Sequence, residues 1–198
     1  VLPTNLQNGL VAYYPFCGNA NDESGNGNNG TVNGAALTTD RFGNANSAYS
    51  FDGVNDKIVV SNSSSMEIQE WSVSAWYKTT FQGYNRITDK ECSSNFNYMS
   101  IILLYGEVYG STSVGGVTNN PLPQHQVNTA DGTWHHVVYS RSSGYYYLYV
   151  DGVLVSTVSD NFSTISNTDV LTIGSPCTAT SQQFNGQLDD IAVHNRAL

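Results

Sequence analysis

Trp71-Ser72-Val73-Ser74-Ala75-Trp76-Tyr77-Lys78 alternates along its whole length. Successive side chains of an extended chain point to opposite faces, so this stretch predicts a strand with Trp71, Val73, Ala75 and Tyr77 on one side and Ser72, Ser74, Trp76 and Lys78 on the other. Tyr145–Val150, Asp151-Gly152 and Val153–Val158 extend the pattern into a hairpin, because Asp-Gly supplies the positive φ angles a tight two-residue turn needs. Outward from these, short apolar runs recur between clusters of Gly, Asn, Ser and Asp: Gly9–Phe16, Ala48–Phe51, Lys57–Val60, Asn85–Asp89, Met99–Leu104, Trp134–Ser140, Val170–Ile173 and Gln187–His194. A dozen or so strands, with no linker and no internal repeat, predict one all-β domain over residues 1–198.

Composition agrees. Only 12% of the 198 residues are charged, so the long charged helix formers are scarce. Seven Lys and Arg against sixteen Asp and Glu leave a net charge of −9, which opposes binding to nucleic acid. No apolar run approaches the ~20 residues of a membrane span, so membrane insertion is not expected. Val1-Leu2-Pro3-Thr4 has no signal-peptide character, and the chain reads as mature or as a module cut from something longer. Three cysteines allow one bridge. Cys92 and Cys177, in polar Ser-rich stretches, are the favoured pair, with Cys17 as a small buried filler.

Six segments in order resemble laminin-G-like domains of the concanavalin A-like lectin/glucanase superfamily, including bacterial pentraxin-related types. They are Leu10–Phe16 with Asp22–Gly27, Ala48–Gly53 with Asp56, Trp71–Lys78, Thr133–Val138, Leu148–Gly152 and Asn185–Leu198. The resemblance implies an antiparallel two-sheet jelly-roll sandwich in which the first and last strands lie close together. It also places Trp71, Trp76 and Trp134 in the core, implies a secreted or cell-surface location, and makes carbohydrate or protein ligands and bound calcium the common properties to test.

Calcium seeks six to eight oxygen ligands from flexible loops. The candidate ligands are Asp22 and Asn26 in the polar, glycine-rich loop Asn19–Gly30, Asp52 in the following turn, and Asp189, brought near by the implied strand pairing. Alternation assigns Asp189 to the face of Ile191 and Val193, where a carboxylate requires a partner. The same residues also suit turn capping toward solvent. A pentraxin-type double-calcium site is not expected, because residues 174–183 contain no carboxylate.

Sugar rings present apolar C–H faces that aromatic side chains match at low entropic cost. Tyr145, Tyr147 and Tyr149 form one stripe, for which cross-strand packing is the competing explanation. The candidate ligand-binding set is Tyr84, Arg86, Lys90, Tyr98 and Tyr105, with a polysaccharide or glycan as the partner. The glucanase spacing Glu-x-Asp-x-x-Glu is absent, Asp189 and Asp190 are adjacent and so expected to point apart, and no nucleophile elbow occurs. The sequence therefore predicts a non-catalytic, lectin-like, monomeric module. The alternatives are an adhesion or structural module that binds protein and, second, a glycoside hydrolase or lyase of the same fold.

Overall fold

The computed structural model describes residues 2–90, 98–120, 122–162, 168–177 and 181–198, excepting the side chain of Tyr98. Sixteen strands among them form two antiparallel sheets, the sandwich that the resemblance implies. In order across the first sheet stand β14 (Val153–Ser159), β13 (Tyr145–Val150), β12 (Trp134–Ser142), β6 (Trp71–Lys78), β16 (Asn185–His194), β4 (Ala48–Asp52) and β3 (Ala36–Thr38), with β1 (Leu10–Tyr14) also on β16. The second runs β10 (Val117–Thr118), β9 (Glu107–Val114), β8 (Tyr98–Leu104), β7 (Tyr84–Asp89), β15 (Leu171–Ile173), β5 (Lys57–Val60) and β2 (Gly30–Asn33), with β11 (Gln124–His125) on β9. A single helical turn, α1 (Thr4–Gln7), precedes β1.

The core lies between the sheets. Trp71, Val73, Ala75 and Tyr77 are buried on the inner face of β6, as the alternation requires, and Ile58, Ile87, Ile101, Leu103 and Ile173 meet them from the second sheet. Trp71 anchors an aromatic cluster, with ring centroids 4.8 Å from Tyr139 and 6.3 Å from Tyr146. The Tyr139 hydroxyl lies 2.8 Å from Thr112 Oγ1, a hydrogen bond that ties the two sheets together. Gly110 makes that approach possible, since a Cβ there would lie 2.4 Å from the Tyr139 ring. The resulting Gly-Ser-Thr-Ser composition hides β9 from a search for apolar alternation.

Four expectations are corrected. Trp76 and Trp134 are half-buried rather than in the core, and Trp76 stands on the outer face of β6. Cys17 is free and exposed, because it follows the turn at Phe16 (φ 54°) instead of continuing β1. Cys177 is disulfide-bonded, while Cys92 lies outside the described residues. The polar loop Asn19–Gly30 buries Ala20 and Asn28, and Asp189 and Asp190 do not point apart. Asp189 does not share a face with Ile191.

This last correction follows from a β-bulge. The first and last strands do pair, Tyr13 with Ala192 and Tyr14 with Ile191. Against β6, however, Asp189 opposes Trp76 and the next pair is Ala192 with Ser74, so Asp190 and Ile191 together oppose Ala75. The extra residue, Asp190, takes a left-handed φ of 43°. The period of two is broken there, and Asp189 and Asp190 both reach the outer face, where one guanidinium contacts them both.

Trp71→Ala is expected to lower the unfolding free energy by about 3–5 kcal/mol, the range for a large aromatic removed from a packed core. Urea denaturation would measure it, and a loss below about 1 kcal/mol would show that the cluster does not anchor the sandwich.

Candidate functional site

Two adjoining cavities open on the outer face of the first sheet, with volumes of about 800 Å³ and about 380 Å³. Tyr13, Arg41 and Asp190 line both. The floor of the smaller one is strand surface, including Trp76, His136 and Val138, and α1 closes one side with Leu6. The helix is moored by its backbone: His194 Nε2 lies 2.8 Å from the Leu6 carbonyl oxygen, and Arg196 Nε donates to the Asn8 carbonyl at 2.7 Å.

Arg41 organises the cleft. The Asp40 carboxylate accepts the backbone N–H groups of Phe42 and Asn44, both at 2.8 Å, and this turn aims Arg41 over the sheet. The guanidinium then lies between two rings, with its carbon 4.3 Å from the centroid of Phe42 and 4.7 Å from that of Trp76. Nη1 contacts Asp189 and Nη2 contacts Asp190, each at 2.5 Å. The Tyr13 hydroxyl donates to the second oxygen of Asp190 at 2.6 Å. His136 packs at 4.9 Å beside the Trp76 ring, and burial lowers its pKa. Phe42 is 73% exposed and offers its ring to solvent. Of the charged groups lining the larger cavity, Glu23, Asp40, Asp189 and Asp190 face only Arg41. The site is aromatic and net acidic.

Of the four proposed calcium ligands, Asp22 and Asn26 share the Ser24 hydroxyl, while Asp52 ends β4 and Asp189 lies on β16. Among the described residues, no three His, Cys, Asp or Glu are grouped so as to hold a metal ion. Asp22 is saturated by donors: the N–H groups of Tyr13 and Ser24 reach one oxygen, and the N–H of Asn28 and the Ser24 hydroxyl reach the other, at 2.8–2.9 Å. Asn26 donates its amide to the carbonyls of Leu10 and Val11. Asp52 closes an exposed turn by accepting from Val54 and Asn55. The partner that Asp189 requires is Arg41, distant in sequence.

The proposed ligand-binding residues lie on the second sheet and its turns, with Tyr84 paired to Leu104, the residue before Tyr105. Tyr84 is half-buried at the start of β7, and Tyr105 is 73% exposed at the tip of the β8–β9 turn. Arg86 is held by Asp89 at 2.7 Å, Gln182 at 3.1 Å and Ser100 at 3.2 Å. Lys90 is only 3% exposed and donates to Asn62 and the Asp169 carbonyl, and burial pulls its pKa down to about 8. Both cations are hydrogen-bonded within the second sheet and its loops. The Tyr98 side chain lies outside what is described. Sequence reasoning passed over Arg41, Phe42, Tyr13 and Trp76. The one available signal was Trp76 among the outward positions of its strand.

Two outcomes follow. Calcium addition or chelation is expected to leave the thermal midpoint unchanged, whereas a calcium-dependent rise abolished by Asp22→Asn would restore a cation site. Burial, and then Asp190, push the Asp189 carboxyl up from 3.8 to about 6, against the pull of Arg41. A folded-state pKa above the unfolded one means the native state holds the proton more tightly. The contribution of this group is therefore full below pH 3.8 and is lost as pH rises through about 6. Urea midpoints across that window should fall with pH, and Asp189→Asn should flatten the trend.

No protein of curated function matches the chain in sequence. Solved structures share its fold at low identity. The binding domain of Paraclostridial Mosquitocidal Protein 1 superposes with a TM-score of 0.79 at 17% identity, covering 98% of this chain and 50% of that one. Domain 4 of AbnA, an extracellular family GH43 arabinanase from Geobacillus stearothermophilus solved with arabinotriose, gives 0.76 at 19%, covering 96% and 93%. A structure of botulinum neurotoxin type C, whose cell entry depends on interaction with two ganglioside molecules, gives 0.74 at 14%, covering 98% and 49%. The chain thus spans about half the length of the two toxin chains. The family model of the concanavalin A-like lectin/glucanases superfamily matches residues 51–198, about three quarters of the sequence, and the chain belongs to that superfamily.

Proposed function

We propose that this chain is a non-catalytic carbohydrate-binding module that takes a neutral polysaccharide or glycan into the cleft on the outer face of the first sheet. The observation that carries the proposal is the Phe42–Arg41–Trp76 stack where the two cavities adjoin, with Phe42 on the larger, of about 800 Å³, Trp76 on the smaller, of about 380 Å³, and carboxylate oxygens at their edge. The exposed Phe42 ring supplies apolar surface for sugar C–H faces, the half-buried Trp76 lines the adjoining smaller cavity, and the exposed edge of Asp190 accepts hydroxyl hydrogen bonds. Four carboxylates against one guanidinium disfavour sialylated or uronate-rich chains.

Binding is favoured over hydrolysis by the state of the carboxyl pair. A glycosidase needs one carboxylic acid free to donate a proton and a second carboxylate free to act. Here one guanidinium contacts both, and the Asp189 side chain is only 3% exposed. The domain of the arabinanase, solved with a bound arabino-oligosaccharide, supports the sugar assignment by analogy of fold. Among the described residues no helix is long and apolar enough to cross a membrane. A secreted or cell-surface location and a monomeric place within a larger chain complete the proposal.

Affinity electrophoresis through gels containing arabinan, xylan or cellulose ethers tests it. Retardation is expected in at least one gel, with Trp76→Ala and Phe42→Ala each abolishing it while near-ultraviolet circular dichroism stays native. A folded protein that no polysaccharide retards, but that captures a protein ligand, would establish the adhesion module in its place.

A further inference from the structure

The outer face of the first sheet carries a second aromatic feature, which begins where the cleft ends. Val138 lines the smaller cavity and pairs across β12–β13 with Tyr149, while Ser140 pairs with Tyr147 and Ser142 with Tyr145. Tyr146, Leu148 and Val150 are buried in the core, so Tyr145, Tyr147 and Tyr149 stand on the outer face. Tyr145 is 45% exposed, Tyr147 and Tyr149 are half-buried, and the rings of Tyr145 and Tyr147 are 6.3 Å apart. On the far side, Leu154, Thr157 and Ser159 of β14 continue the surface.

Trp76 pairs with His136, and Tyr145 lies opposite Ser142. At ~3.3 Å per residue along β12, the track from Trp76 to Tyr145 is about 20 Å long. None of its residues from Val138 through the three tyrosines to β14 carries a formal charge. An uncharged row of three tyrosine rings, which begins beside Val138 at the border of the acidic aromatic cleft, suits an extended neutral polymer. Cross-strand packing accounts for such tyrosines only in part. Tyr145 and Tyr147 neighbour each other along one strand, and across the ladder they face serines and a threonine rather than other rings.

We infer that the tyrosine row is an extension of the sugar site, so that the module grips an internal stretch of a linear neutral glycan along several consecutive residues rather than a chain end. This rests on the assignment of the cleft to glycan binding. The cleft holds one or two sugar units against Trp76 and Phe42, and Tyr149, Tyr147 and Tyr145 stack the units that follow.

Titration calorimetry with neutral arabino- and cello-oligosaccharides, from disaccharide to hexasaccharide, tests the inference on the whole chain. Affinity should rise about tenfold or more with length, the gain of one well-stacked contact. Tyr147→Ala and Tyr149→Ala should erase that gain while disaccharide binding persists, and Trp76→Ala should lose both. Tyr147→Thr, a good strand former, serves if the alanine variant unfolds. A hexasaccharide bound no more tightly than a disaccharide, or a length gain that survives both tyrosine variants, overturns the extension and leaves the cleft assignment standing. Failure of every length to bind overturns the cleft assignment itself. Self-association on a sizing column that Tyr147→Ala abolishes would also overturn the extension, because a second copy would then be the occupant.

Discussion

The bulge at Asp190 is the constraint on which the outer face depends. A regular last strand would send Asp189 and Asp190 to opposite sides of the sheet. One inserted residue against Ala75 instead puts both carboxylates on one face, over Trp76. Like charges so close, one of them almost fully buried, require a cation. Arg41 reaches them from the loop between β3 and β4. Its guanidinium, fixed by two carboxylates, stands over the rings of both Phe42 and Trp76. The aromatic cleft is thus a consequence of satisfying buried charge. Removing Arg41 would leave that charge uncompensated, a larger loss than the net value of the pair.

The loop after β1 obeys the same logic with the opposite chemistry. Asp22 sits among N–H and O–H donors supplied by Tyr13, Ser24 and Asn28, and the buried Asn28 side chain donates to the Val11 carbonyl at 2.9 Å. A cation needs oxygen lone pairs turned inward. Here the Asp22 lone pairs are already taken by hydrogen, the Ala20 carbonyl accepts from the Gly30 N–H, and the Asn28 carbonyl accepts from the Tyr14 hydroxyl. An acidic, glycine-rich loop therefore folds as an internally hydrogen-bonded cap on the first sheet.

The two sheets divide the work. The second consumes its polar side chains internally, with Arg86 and Lys90 joined to Asp89, Gln182, Asn62 and the Asp169 backbone. The first presents aromatic rings on strands whose inner faces are locked into the core around Trp71, Tyr139 and Tyr146. Rings held by strands lose little freedom when a ligand arrives, and such preorganisation favours weak, repeated contacts with a sugar chain.

The alternation of β6 and the Asp-Gly turn of the β13–β14 hairpin were enough to determine, by themselves, an all-β domain and which residues of those strands face the core. They also assigned Tyr146 inward and its neighbouring tyrosines outward. These are properties of period and turn chemistry, which are local. The cleft was not legible, because its members stand at positions 13, 41, 76, 136 and 189–190 and meet only through strand pairing. The bulge reverses a face assignment that a strict period of two makes confidently, and nothing in Leu188-Asp189-Asp190-Ile191 marks the extra residue. β9 stayed hidden because contact with the Tyr139 ring demands glycine where a strand signal needs a side chain. Local pattern decided the layers, and long-range pairing decided which charges meet, because only the folded chain brings a lone arginine onto two aspartates 148 and 149 residues away.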